Sequence, residues 1–414
     1  MAKSSKKKPA ARKKAPKKAA PKKAAPKKAA PKPRRARAAA TSHEKVNPLP
    51  AAVYHERLRP RDPDVRGDYF RDQTAIIHAQ PFRRLKRKTQ VFFDPRNDHI
   101  CTRIEHSLHV ATVAATICKG LGLDAELAQA AGLGHDLGHP PCGHAGEVVL
   151  NDRLAPIGGF KHELQSLRVV DRLANRGRGL NLTYGVRDAI VSHCGETDDQ
   201  LLCPSDQKKD LFLVKDRATP PTSWEGCVLR LADKIAYLGR DIEDAVTARF
   251  ISVADVPTHV RDALGETNGE IIDTLVADVI AYSSQHDCVG FSPDVHAMVT
   301  ELKNFNYDRI YTDGRMLRFQ RFGGGLIMRL FDYLTEIYER NGLDPHAYET
   351  SPEVVDRRFG HYIEAMLGVY SRGEEGHALR VVGDYVSGMS DTFAIECVRH
   401  IVFPDSIVDP HAWV

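Results

Sequence analysis

Apolar residues recur along most of this chain at three- and four-residue steps. Leu164, Leu167, Val170 and Leu173 keep that spacing, as do Leu326, Leu330, Leu334 and Ile337; each set marks one buried stripe on an α-helix. From Glu105 onward, Leu108, Ala111, Val113, Ala115 and Ile117 alternate with small residues, as in a helix buried on more than one side. Strand-like alternation is brief. Thr89–Phe93 and Leu211–Val214 are the best candidates, enough for a small hairpin or edge pair. Polar or Pro-rich stretches at 203–223 and 251–268 read as loops. No clean linker interrupts 54–405. The pattern predicts an all-α fold: one mainly helical domain over 54–405 with a helical C-terminal extension.

Residues 1 to about 45 follow another rule. A repeated A-P-K-K-A unit places prolines at 16, 21, 26 and 31, and proline at that spacing forbids a continuous helix. Residues 1–40 hold thirteen Lys, four Arg and no acid, so the net charge of +5 leaves residues 41–414 at about −12. Like charges with only Ala methyls between them cannot form a core, so the segment reads as a disordered basic tail. Its charge suits DNA or another polyanion, bound without sequence preference; the competing reading is a tail that only adds solubility. It resembles the Lys-Ala-Pro tails of linker histones, and without aromatic residues it implies no base stacking. No apolar run approaches the roughly 18–20 residues that span a bilayer, and no signal-peptide core follows the start. The expectation is a cytoplasmic protein, nucleoid-associated if the tail binds DNA. The eight cysteines show no C-x-x-C pair and read as reduced thiols, mostly core filler.

The chemistry concentrates in GLGHDLGHPPCGHAGE, residues 132–147. His135 and Asp136 offer an imidazole and a carboxylate side by side; His106 upstream and Asp233 downstream complete a set of four. Neutral imidazoles with ionised carboxylates, and no thiolate, suit a catalytic Mn²⁺, Mg²⁺ or Fe²⁺ better than a structural zinc. The polar pair follows the apolar stretch Leu127–Leu133, where a surface explanation is hard to sustain. Asp233, Tyr237 and Asp241 lie at i, i+4 and i+8 on one helix face, with Lys234 one position round. Arg103 stands one turn before His106, placed to clamp a phosphate. His78, His99, His193, His286 and His296 read as ordinary core or surface histidines. Gly323-Gly324-Gly325 reads as a flexible loop before a helix, or less readily as an anion site. No G-x-x-x-x-G-K-[ST] string is present, which argues against ATPase-type phosphate gripping.

Seven strings carry a family resemblance: FRRLKRKTQVF (82–92), TRIEHSLHVA (102–111), HDLGHPPCGHAGE (135–147), GGFKHELQSLRVV (158–170), LADKIAYLGRDIEDA (231–245), LKNFNYDRIY (302–311) and DYVSGMSDTFA (384–394). In this order, over nearly all of 54–400, the chain resembles the bacterial dGTPase-like deoxynucleoside triphosphate triphosphohydrolases of the HD superfamily. The resemblance implies an HD-domain helical fold and hydrolysis of a dNTP to deoxynucleoside and inorganic triphosphate. His106, His135, Asp136 and Asp233 would hold the metal. His144 would move protons with Glu147 orienting it, and His139 and His162 would sit at the phosphates, His139 counted with the catalytic group. Arg103 and Lys234 would bind phosphate oxygens. Gln90, Tyr237 and Asp241 would line the sugar pocket, Asp241 accepting from the 3′-OH. A homo-oligomer is also implied. Three features depart from the family: Cys142 stands where Phe is usual, which would loosen packing near His144; 61–77 lacks the usual acidic-arginine alternation; and the basic tail is extra. Two other readings stay open: another HD-type nucleotide phosphatase or phosphodiesterase, and a nucleic-acid-binding protein on a degenerate HD scaffold.

Overall fold

The computed structural model describes residues 43–93, 97–194, 199–215 and 219–403; the expectations for the basic tail lie outside them. Thirteen helices carry the architecture: α1 (Asp68–His78), α2 (Arg103–Leu121), α3 (Ala125–Gly134), α4 (His144–Arg153), α5 (His162–Arg168), α6 (Tyr184–Val191), α7 (Trp224–Thr247), α8 (Asn268–Ser283), α9 (Pro293–Asn306), α10 (Gly314–Asn341), α11 (Val354–Tyr370), α12 (Ala378–Ser387) and α13 (Asp391–Val402). Shorter helical turns connect several of them. The fold is all-α, with one two-stranded antiparallel pair among the described residues, β1 (Leu201–Leu202) and β2 (Val289–Gly290). Among the described residues, no helix is long and apolar enough to cross a membrane.

The three stripes read from spacing all lie on helices: α2, α10, and α5 continued by a π-turn at Val169–Leu173. Thr102 and Glu105 form a capping box that starts α2, and Gly122 ends it in the left-handed region at φ 75°. Both satisfy backbone groups that a helix end otherwise leaves open. α2 and α3 then pack face to face. A Cβ on Gly132 would stand 2.6 Å from the Ala111 Cα, so glycine is what lets the two backbones approach this closely.

Three apolar clusters hold the helices. One surrounds α7 and includes side chains of α2, α8 and α9. A second joins α10–α13 to Leu150 and Leu154. The third joins α1, α3 and α6. The second matters for the site because buried carboxylates tie it to the first half. Asp391 accepts from the backbone N–H groups of Thr89 (2.9 Å) and Cys142 (3.0 Å). Asp384 pairs with Arg168 on α5 at 2.6 Å.

Several sequence expectations fail here, each for a local reason. Leu211–Leu213 is a 3-10 turn, with Asp210 accepting from the Phe212 N–H. Thr89 makes only an isolated bridge to Thr102. Both segments have β-rich composition but no neighbouring strand to pair with, and composition alone does not make a sheet. The stretch 251–268 contains a helix at Thr258–Leu264. Gly323-Gly324-Gly325 lies inside α10, neither a loop nor an anion site. Cys203 and Cys288 form a disulfide, with Cα atoms 5.0 Å apart; the pairing of β1 with β2 brings together two cysteines 85 positions apart, which sequence spacing did not reveal.

Candidate metal centre and substrate cavity

His106 comes from the first turn of α2, His135 and Asp136 from the turn after α3, and Asp233 from the middle of α7. The close α2–α3 crossing brings the two imidazoles to 5.4 Å between ring centroids. His106 Nε2 lies 3.0 Å from Asp233 Oδ1, and His135 Nε2 lies 3.7 Å from Asp136 Oδ2 and 3.9 Å from Asp233 Oδ1. The ligand atoms of His106, His135 and Asp136 all fall within 4.8 Å of one another. The structure thus brings together the four residues singled out from sequence.

The donor set fits a divalent ion. The Nδ1–H of His135 donates to the Gly132 carbonyl at 2.7 Å, which leaves a bare lone pair on Nε2. That Nε2 is buried and has no hydrogen-bond partner among the described residues. Leaving a buried polar atom unpaired costs about 1–3 kcal/mol, and a metal-ligating imidazole shows this arrangement, one nitrogen on a carbonyl and the other free. Burial lowers the His135 pKa to about 4, so the ring is neutral. Burial alone would raise the Asp136 pKa, but the Arg103 guanidinium, 2.6 Å away, holds it well below the usual range. Asp233 falls to about 2: burial opposes ionisation, and the His106 hydrogen bond and charge outweigh it.

A cavity of about 770 Å³ opens beside these residues. Its wall includes Gln90, Arg103, His139, His144, Glu147, His162, Asp233, Lys234 and Tyr237, nine of the thirteen site residues expected from sequence. His106, His135 and Asp136 lie buried behind them. Asp241 is off the wall, buried, and accepts the Tyr311 hydroxyl; burial raises its pKa to about 7. His144 is exposed at the start of α4, and Glu147 is one turn further along. Glu147 accepts from the backbone N–H (3.1 Å) and Nδ1–H (3.0 Å) of His162. The His139 and His162 rings stack at 4.4 Å. Gln90 Oε1 is a second buried acceptor without a hydrogen-bond partner among the described residues.

Sequence reasoning missed part of the wall. His193 is not a bystander: it is 2% exposed, lines the cavity, and shares a cluster with His135 and Asp233. Cys194 also lines the cavity and contacts both His162 and His193 at 3.2 Å. Burial would raise its pKa, but those two imidazoles pull it below the ordinary thiol value. Lys161, Arg230 and Lys303 add cations to Arg103 and Lys234. The adjacent His193-Cys194 pair was the available signal; the three cations are scattered and gave none. Cys142 does not loosen the packing near His144. It is buried at φ 61°, and a Cβ on Gly323 would lie 2.8 Å from its own Cβ, so the smaller side chain sits closely against α10.

Two protein families match the chain: the HD domain over residues 103–238 and the phosphohydrolase-associated domain over residues 289–400. A deoxyguanosinetriphosphate triphosphohydrolase-like protein of Caldanaerobacter subterraneus is 34% identical over 365 residues, covering 87% of this chain and 94% of its own length. Similarly named proteins of Desulfatibacillum aliphaticivorans and Clostridium perfringens are 33% and 35% identical, covering 87% and 86% of this chain and 94% and 93% of theirs.

Proposed function

The chain belongs to the deoxyguanosinetriphosphate triphosphohydrolase-like proteins, a family of HD-domain phosphohydrolases, and from that premise we propose that it hydrolyses deoxynucleoside triphosphates to deoxynucleoside and inorganic triphosphate. One observation carries the reading: the side chains of His106, His135, Asp136 and Asp233, from three separate segments, converge, the Nε2 of His135 having no hydrogen-bond partner among the described residues, beside a cavity walled by Arg103, Lys161, Arg230, Lys234 and Lys303. Five cations suit the highly charged tail of a nucleoside triphosphate, and the volume suits a ligand of that size.

His106, His135, Asp136 and Asp233 would hold Mn²⁺ or Mg²⁺, with Fe²⁺ the other candidate; such an ion activates water and offsets phosphate charge. Arg103 binds a phosphate oxygen while its other edge stays on Asp136, and Lys234 stands on the same wall. His139 and His162 meet the phosphates as a stacked pair. His144 delivers the proton that the leaving 5′-oxygen needs, a task suited to an imidazole near neutral pH. Glu147, expected from the resemblance to orient His144, instead orients His162, whose backbone N–H and Nδ1–H it accepts. Tyr237 packs against C2′ of the sugar and leaves no room for a 2′-OH, and Gln90 supplies the buried acceptor beside it. Asp241 supports this subsite from behind, through Tyr311.

The test is to incubate the purified protein with each dNTP and Mn²⁺ or Mg²⁺ and resolve the products. Intact triphosphate supports the reading; orthophosphate or pyrophosphate would sink it and favour another HD phosphatase or phosphodiesterase. Replacing His135 and Asp136 together with Ala should abolish turnover.

A further inference from the structure

After α6 the chain runs Ser192-His193-Cys194. The turn is anchored by Arg230, whose Nε–H donates to the Ser192 carbonyl at 2.5 Å. This holds His193 and Cys194 against His162 from the start of α5. His162 Nε2 and His193 Nε2 are 3.3 Å apart, and Cys194 Sγ is 3.2 Å from each. The three atoms make a nearly equilateral triangle.

Hydrogen bonds on the far side of each ring say what this triangle contains. His162 Nδ1 contacts the Glu147 carboxylate at 3.0 Å, and His193 Nδ1 contacts the Ile190 carbonyl at 2.7 Å. Both partners accept, so both Nδ1 atoms carry a proton, and both Nε2 atoms face the sulfur. Two imidazole nitrogens and a sulfur converge closely enough to share protons among themselves, and a cation bound between them would displace those protons. A carboxylate or carbonyl behind the ring and a free Nε2 in front is the arrangement that orients a metal-binding histidine. The nitrogen–nitrogen side of 3.3 Å matches a bound ion, and the sulfur at 3.2 Å would have to move out by about 0.4 Å. Zn–N bonds of about 2.0–2.1 Å and a Zn–S bond of about 2.3 Å in a tetrahedron put nitrogens about 3.3 Å apart and sulfur about 3.6 Å from nitrogen.

We propose that His162, His193 and Cys194 form a second divalent-cation site, selective for a thiophilic ion such as Zn²⁺. The first set, with two imidazoles and two carboxylates, is hard; this one, with two imidazoles and a thiolate, is softer and discriminates against Mg²⁺ and Mn²⁺. All three ligands line the cavity, so the fourth position faces its interior and is open to water or to an anionic oxygen. An ion held here would stand between His162 and the phosphates, so that His162 meets them through the ion, and its binding can be tested without any nucleotide.

The experiment titrates Co²⁺, as a spectroscopic stand-in for Zn²⁺, into the metal-stripped full chain. Thiolate bound to Co²⁺ gives a charge-transfer band in the near ultraviolet, and the first ligand set contains no sulfur. A band is expected whose full intensity corresponds to one thiolate-bound ion per chain, which bleaches on adding Zn²⁺ and is absent from folded Cys194→Ser. A wild-type protein without the band, or a band that survives in Cys194→Ser, overturns the proposal. A second measurement needs no variant: alkylation of Cys194 by iodoacetamide, followed by mass spectrometry, should be blocked by Zn²⁺ and not by Mg²⁺. Equal labelling with both ions also overturns it.

Discussion

The buried imidazole of His135 and the exposed imidazole of His144 stand in the same short stretch, and the proposed reaction gives them opposite tasks. His135 is neutral, fixed by Gly132, and presents a lone pair; His144 faces the cavity. Replacing His144 with Ala should lower triphosphate release by roughly 10²–10⁴-fold, the usual cost of losing a proton-transfer group, without changing the melting temperature, because the side chain is exposed. A loss below tenfold in steady-state assays would remove it from the reaction. Asp241 gives a stability prediction. Burial raises its pKa to about 7, against about 3.9 in an unfolded chain. Between those values the folded state keeps a proton that the unfolded state has released, so stability falls as pH rises from about 4 to about 7. Asp241→Asn should flatten that part of the profile in denaturant titrations; parallel wild-type and variant profiles would refute the assignment. The cluster of candidate ligands was legible because adjacent His and Asp after an apolar helix have few structural explanations. His193 was not, because a single histidine after a helix is ordinary until the fold sets it against two others.

At the scale of helices, spacing worked where one face decides the outcome and failed where a partner does. Leu326, Leu330, Leu334 and Ile337 need only a core on one side, and all four are buried on α10. The strand expectations needed a neighbour that periodicity does not supply, and the disulfide needed β1 and β2 to meet across 85 residues. The glycine run on α10 was misread because glycine usually disfavours helix interiors; here part of it is required by packing. A Cβ on Gly323 would lie 2.8 Å from the Cys142 Cβ, whereas one on Gly325 would meet nothing within 4 Å. Gly323→Ala should therefore destabilise the protein by about 1–3 kcal/mol through overpacking. It should also reduce activity, since α4, which begins beside Cys142, carries His144 and Glu147. Gly325→Ala should stabilise by about 0.4–1 kcal/mol by restricting the unfolded chain. Chemical denaturation of the two variants measures this directly, and a shift of the same sign in both would show that local propensity, not the α4–α10 contact, governs this run.

Over the whole molecule, charge divides the chain into two parts of opposite sign. Seventeen positive charges within residues 1–40 precede a remainder at about −12. An acidic body repels a duplex, so any DNA affinity must come from the first forty residues. Each phosphate neutralised by a Lys or Arg contributes about −0.9 to the slope of log affinity against log salt, which sets an upper bound near −15 for all seventeen. Not every Lys or Arg of a flexible segment meets a phosphate at once, so the observed slope should be shallower than that bound while remaining steep. Full-length protein should bind duplex DNA at low salt with little sequence preference and lose most of that affinity by 200 mM salt. A chain beginning at residue 41 should bind negligibly at any salt while keeping the proposed dNTP hydrolysis at an unchanged rate, because the candidate metal ligands and the cavity all lie beyond that point. Fluorescence-anisotropy titrations of both proteins across salt concentrations decide the matter. Equal affinity of the two at low salt would place DNA binding on the folded body and leave the repeated Lys-Ala-Pro segment without this role.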